Sequence, residues 1–206
     1  MATLYFVRHG ITENNRQQLF NGSRSNPDLT AEGIQQAKKL GKHLKEIDFA
    51  TIYVSPTQRT IKTMQAILSE NQYSQLEIII SDTLKEMDFG DWDGTTIQAQ
   101  RSHEQFDHLM NQPERYDPSG FDGESYQTLL DRGMTFLSSL DYQGEKNYLI
   151  VGHGVMLSSL LAYLKEPDLS KIRQEGLLKN TSLSIFSSAD GRTFQQEVWN
   201  YSRHLE

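Results

Sequence analysis

The sequence predicts a single α/β domain over residues 1–206, with a mixed, mostly parallel sheet and helices on both faces. Three observations carry this. Short apolar runs at Leu4 to Val7, Ala50 to Val54, Ile78 to Ile80 and Tyr148 to Val151 have the length and density of strands. Segments of helical periodicity separate them, and strands alternating with helices imply parallel neighbours joined by crossovers. Near the end, Ser182 to Phe186 and Phe194 to Trp199 alternate apolar with polar residues around Asp190-Gly191, a hairpin signal that makes the sheet mixed.

The elements follow in order. After the first strand, Thr12 to Asp28 is polar and reads as a loop. Thr30 then suits an N-cap, and Ile34, Ala37, Leu40, Gly41, Leu44 and Ile47 recur at helical spacing, so an amphipathic helix extends to Ile47. The second strand ends at Val54, where Ser55 is expected to cap a helix whose first position is Pro56, since a missing N–H costs nothing there. Arg59 falls in the first turns of that helix. The third strand leads to a loop from Leu84 to Gly94, then to helical residues from about Thr96 to Met110. Pro113, Pro118, Gly120 and Gly123 mark an irregular connection. Ser125 to Leu140 is again helical and leads into the strand at Tyr148, and a last helix from about Val155 to Leu164 stops before Pro167. Neither an internal repeat nor a linker interrupts the chain.

Composition narrows the function. With 36% hydrophobic and 23% charged residues, a chain of 206 residues can bury one core and fold unaided. The net charge of −7 speaks against nucleic acid or an anionic membrane as the main partner, because both need a basic face. An anion site must be assembled locally. The chain has no cysteine, which removes disulfides, thiol nucleophiles and Cys-ligated zinc and suits a reducing cytoplasm. Met1-Ala2-Thr3 enters the first strand directly, so no signal peptide is expected. The longest apolar stretch, Leu149 to Leu164, is broken by His153, Ser158 and Ser159 and is too short for a membrane span.

Chemistry concentrates at strand ends. Arg8-His9-Gly10 follows the first apolar run, and Gly152-His153-Gly154 follows the run ending at Val151, so two histidines at strand exits can face one pocket. A lone His9 would be satisfied by a backbone carbonyl. With Arg8 beside it and Asn15 in the next loop, a buried guanidinium and imidazole call for an anion. Phosphate fits the forked guanidinium, and Gly10 would let the backbone approach it closely.

Other chemistries lack their parts. Gly123-Glu124-Ser125-Tyr126-Gln127 misses the closing glycine of a nucleophile elbow, so His153 has no serine triad. Gly152-His153-Gly154 misses the third glycine of a dinucleotide fingerprint. His103 and His108 are five apart, turn to different helix faces and are no zinc pair; with His43 and His204 they are expected at the surface. Phe89 and Trp92 suit packing rather than base stacking.

Arg8-His9-Gly10-Ile11-Thr12-Glu13-Asn14-Asn15 resembles the signature of the histidine phosphatase superfamily, which includes the cofactor-dependent phosphoglycerate mutases. The likeness continues in family order through Asn21-Gly22, Leu29 to Gly33, Ser55 to Thr60, Leu84 to Gly94, Gly123-Glu124-Ser125 and Val151 to Gly154. It implies a phosphoglycerate mutase-like fold with the site at the carboxyl ends of the strands. It implies His9 as nucleophile and Glu86 as proton donor. His153, Arg8, Gly10, Asn15, Asn21, Gly22 and Arg59 would form the site around the phosphate, with a protonated His153 and a helix N-terminus sharing its charge. Glu86 is picked by that alignment alone, since Asp82, Asp88, Asp91 and Asp93 are rival acids nearby. The arginines and His153 would supply the positive charge, so neither a metal nor a cofactor is expected.

The implied reaction is hydrolysis of a small phosphorylated metabolite. A phosphoglycerate mutase is the alternative, but mutases resemble a longer chain with a basic middle insertion, whereas Thr96 to Gly123 carries only Arg101 and Arg115. A non-catalytic phospho-ligand or protein-binding module on the same fold is the alternative of another class. Two departures, Asp93 where Glu is frequent and Ser23 where an aromatic is common, bear on substrate preference. The oligomeric state stays open.

Overall fold

The computed structural model describes residues 1–72 and 76–206. Its strands are β1 (Ala2–Arg8), β2 (Thr51–Val54), β3 (Glu77–Ile80), β4 (Lys146–Gly152), β5 (Leu183–Ser188) and β6 (Gln195–Tyr201). They form one sheet in the order β3-β2-β4-β1-β5-β6. β3, β2, β4 and β1 run parallel, and β5 and β6 join antiparallel. The expected mixed, mostly parallel sheet is therefore present, and it places β1 and β4 side by side at the centre. Gly191 turns the closing hairpin at a φ of 70°, which needs glycine.

The helices are α1 (Glu13–Arg16), α2 (Ala31–His43), α3 (Gln58–Leu68), α4 (Ile97–Gln100), α5 (Glu104–Asn111), α6 (Tyr126–Ser138) and α7 (Gly154–Lys165). Alternate residues of the central strands feed two cores. Tyr148 and Ile150 join Leu4 and Phe6 under α6 and α7, while Leu149 and Val151 join Val7 under α2 and α3. α2 and α3 touch closely. A Cβ on Gly41 would meet the Ile67 carbonyl oxygen at 2.4 Å.

Several local expectations need correction. Thr57, not Ser55, is the N-cap residue of α3, and Pro56 lies outside the helix. α2 stops at His43 because the chain tightens into a turn, in which Leu44 stays buried and so prolongs the helical pattern. The segment from Thr96 to Met110 is two helices. Thr96 caps α4 by accepting from Ala99 N, and His103 caps α5 by accepting from Gln105 N, so a second start interrupts the first. The loop after β1 contains α1, closed by a capping box in which Thr12 and Asn15 bond each other's backbone. His108 is buried and hydrogen-bonded to Gln105, and His204 is half-buried against the Thr181 carbonyl. Phe89 and Trp92 are core residues, Trp92 stacking on Phe121 at 4.3 Å.

Candidate active site

Strand register builds the site. Arg8 pairs with Gly152 across β1 and β4, so His9 and His153 leave adjacent strands at the same level, with ring centroids 5.3 Å apart. The His9 backbone N–H bonds the Gly152 carbonyl at 3.0 Å and fixes that exit. Its Nδ1 lies 2.7 Å from the Gly10 carbonyl, an oxygen that can only accept, so Nδ1 carries the proton. Nε2 keeps the lone pair. Burial first, then the charges of Arg59 and Arg8, push the His9 pKa well below the ordinary 6.5. The ring is therefore neutral.

A cavity of about 140 Å³ opens here, lined by Arg8, His9, Asn15, Asn21 and Glu86 together with apolar side chains including Phe20, Phe89 and Leu109. Arg8 is anchored by Nη1 to the Leu178 carbonyl at 2.5 Å, yet its enclosed Nε–H has no partner. Asn15 accepts through Oδ1 from the Thr12 N–H and hydroxyl, which leaves its amide donors free for a ligand. Asn21 donates to Thr12 Oγ1 and holds an unpartnered Oδ1. A wider depression of about 720 Å³ lies on the other side of Glu86. Its cations Arg24, Lys85 and Arg132 are each paired with a carboxylate, so it offers an anion nothing comparable.

Glu86 is buried on the N-terminus of α7. Its carboxylate accepts from Val155 N at 3.0 Å, Met156 N at 2.8 Å and Met87 N at 2.9 Å. Two of the N–H groups expected to meet a phosphate are therefore occupied by the proposed acid. These bonds orient the carboxyl.

The remaining expected residues form a supporting layer outside the cavity lining. Arg59 is fully buried, and burial lowers its pKa to about 10. It donates to the carbonyls of Ser25 at 2.6 Å and Gly22 at 2.8 Å, and through Nε to His153 Nδ1 at 3.2 Å. His153 Nε2 then donates to Ser55 Oγ at 2.7 Å. Both ring nitrogens are engaged, and burial together with Arg59 lowers the His153 pKa well below 6.5, so the ring is neutral rather than protonated. Gly10 and Gly22 also turn their backbone elsewhere. Gly10 N bonds Thr63 Oγ1 at 2.9 Å, and its missing side chain is required by Gly33, whose carbonyl oxygen a Cβ would meet at 2.8 Å. Gly22 N bonds Asp93 Oδ1 at 2.9 Å.

Asp93 organises this layer, accepting also from Arg24 N, Ser25 N and Ser25 Oγ. Sequence reading noted it only as a departure. Asn180 was missed; its amide donates to the His9 carbonyl at 2.9 Å and reaches Asn15 Oδ1 at 3.4 Å. The following Thr181 holds a φ of 59°, strained for a β-branched residue. Arg173, buried on the cavity wall, was missed as well. No local motif marks either residue, because their partners lie more than sixty positions away. Among the described residues no group of three or more His, Asp or Glu is arranged to hold a metal ion, and no helix is long and apolar enough to cross a membrane.

A phosphoglycerate mutase-like α/β sheet with a neutral histidine beside an unsatisfied arginine defines a class of phosphoryl-handling proteins. The chain belongs to the histidine phosphatase superfamily (branch 1), whose model matches residues 4–202. It is 30% identical to an uncharacterized phosphatase, PhoE, of Bacillus subtilis over 100% of this chain and 97% of that protein. A 2,3-bisphosphoglycerate-dependent phosphoglycerate mutase of Allorhizobium ampelinum is 32% identical over 96% of this chain and 95% of its own. Among solved structures, Bacillus stearothermophilus YhfR superposes with a TM-score of 0.90 at 31% identity over all of both chains. A phosphoserine phosphatase of Entamoeba histolytica in complex with 3-phosphoglyceric acid superposes with a TM-score of 0.83 at 25% identity, again over all of both chains.

Proposed function

We propose that this protein hydrolyses small phosphomonoesters through a phosphohistidine on His9. The observation that carries this is the His9 ring itself, held on the Gly10 carbonyl with Nε2 unprotonated beside the unpartnered Arg8 Nε–H. In the first half-reaction His9 Nε2 forms a bond to phosphorus, the ester P–O bond breaks, and Glu86 gives its proton to the departing alkoxide. In the second, Glu86 removes a proton from water, the water oxygen bonds phosphorus, and the P–N bond breaks to release phosphate. Arg8 and Asn15 donate to phosphoryl oxygens. Arg59 and His153 act from behind, Arg59 through its charge and His153 by holding Arg59 in place.

The mutase reading is favoured by the relatives of that name. Arg101 and Arg115, the only lysine or arginine residues between positions 96 and 123, do not line the cavity, which favours release of phosphate over its retention. Purified protein, tested with 3-phosphoglycerate and a 2,3-bisphosphoglycerate primer, should release inorganic phosphate faster than it forms 2-phosphoglycerate. Rapid quench with labelled ester should trap an acid-labile, base-stable adduct on the His9 peptide. An acid-stable adduct elsewhere would end the phosphohistidine reading, and fast primer-dependent isomerisation would promote the mutase. Chelator should leave the rate intact, because the proposed charge stabilisation comes from side chains.

A further inference from the structure

Three arginines approach the cavity, and only two have a role in the scheme above. Arg8 meets the phosphoryl group, and Arg59 is spent on backbone carbonyls and His153. Arg173 is 9% exposed and lines the same cavity. Its Nε and Nη1 have no hydrogen-bond partner, and its Nη2 contact is the Met110 sulfur at 3.8 Å. It forms no ion pair among the described residues. A buried guanidinium with its donors unmet is costly unless an anion completes it. Burial lowers the Arg8 pKa, and Arg173 is near enough that its charge adds to that lowering. Met110, which touches Arg173, and Leu177 line the same cavity and are 37% and 38% exposed, so this part of the wall reaches the surface, away from the buried His9.

We infer that Arg173 is a specificity-determining residue that binds a second anionic group, a carboxylate, on the leaving alcohol of the phosphomonoester. This rests on the phosphatase reading and names its substrate class. The small cavity, about 140 Å³, leaves room beside a phosphoryl group for a short carbon chain, and a carboxylate is the smaller of the two biological anions that guanidinium groups bind well. The apolar wall around Phe89 and Leu109 removes water from that pairing and strengthens it.

The test compares kcat/KM, read as inorganic phosphate released, for matched esters. 3-Phosphoglycerate carries the carboxylate, glycerol 3-phosphate replaces it with a neutral hydroxymethyl group, and glycerol 1,3-bisphosphate replaces it with a phosphorylated hydroxymethyl group. Wild-type protein should prefer 3-phosphoglycerate over glycerol 3-phosphate by about 10- to 100-fold, the scale of hydrogen bonds to a charged group. Arg173→Met should collapse that ratio towards one, and Arg173→Lys should keep part of it. A wild-type ratio near one overturns the inference even if neither variant folds, and so does a ratio that survives Arg173→Met. Preference for the bisphosphate over 3-phosphoglycerate overturns the choice of carboxylate. If wild-type protein releases phosphate from none of these esters nor from p-nitrophenyl phosphate, the phosphatase reading itself has failed, a result distinct from hydrolysis without selectivity.

Discussion

At the scale of single residues, the structure withholds charge from His9. Burial and two guanidiniums disfavour its protonated form, so the ring, the proposed nucleophile, should remain neutral in mildly acidic solution. An NMR titration of the free protein should show no midpoint for the His9 ring near pH 6.5; a midpoint there would mean that the ring is not held neutral. Glu86 is the proposed acid, and leaving-group basicity tests that role. Glu86→Gln should slow phosphorylation by alkyl esters by roughly 10²–10⁴-fold, the usual worth of general acid–base help, and by nitrophenyl esters much less. Burst kinetics isolates that step. If Asp88→Asn shows the selective loss and Glu86→Gln does not, the acid is misassigned. His9 was legible because a strand-end histidine next to arginine is informative by itself. Glu86 was legible only by its motif, since the α7 N–H groups that orient it come from almost seventy residues away. The roles of Ser55, Asn180 and Arg173 were hidden for the same reason.

At the scale of elements, the segment from Asn21 to Ser25 is a loop made rigid from two sides. Asp93 accepts from its N–H groups, and Arg59 donates to its carbonyls. Asp93→Ala removes the acceptors and should cost about 2–3 kcal/mol in denaturant unfolding, the range for hydrogen bonds to a charged group. KM should rise as Asn21 loosens, with the nucleophile unaffected. An unchanged KM would show that the loop holds its shape without Asp93. The α2–α3 contact gives a sharper sign test. Alanine in place of a helical glycine ordinarily stabilises by up to about 1 kcal/mol. Gly41→Ala should instead destabilise by about 1–3 kcal/mol, because its methyl group would press on the Ile67 carbonyl oxygen and force the helices apart. Periodicity found both helices but could not reveal that contact. It also misplaced the start of α3, where Ser55 and Pro56 look like a helix entry but Ser55 instead bonds His153.

At the scale of the whole molecule, the sheet was legible because buried parallel strands leave dense apolar runs and crossovers leave helical periodicity between them. The edge strand β3 was legible by the same signal although Ile78 and Ile80 are exposed, at 46% and 60%, so an apolar run does not report burial. Placing His9 and His153 just past the ends of the two central strands links their protonation state to global stability. Both rings are neutral in the folded chain, with pKa values lowered by burial, and half-buried His204 is shifted the same way. In the unfolded chain they regain an ordinary pKa near 6.5, so below that pH the unfolded state binds more protons and stability falls as pH falls. Each ring kept neutral contributes a slope of up to about 1.4 kcal/mol per pH unit on the acid side. The lowered carboxylates, such as Asp28 and Asp141, lose their contribution only nearer their ordinary 3.8, so the two windows separate. Unfolding free energies from denaturant titrations should therefore fall distinctly between pH 7 and pH 5.5. The double substitution His9→Gln with His153→Gln should flatten that dependence, whatever it does to stability at neutral pH. Wild-type stability that is level across this window would mean that the histidines protonate in the folded state, which would remove the basis for a permanently neutral nucleophile.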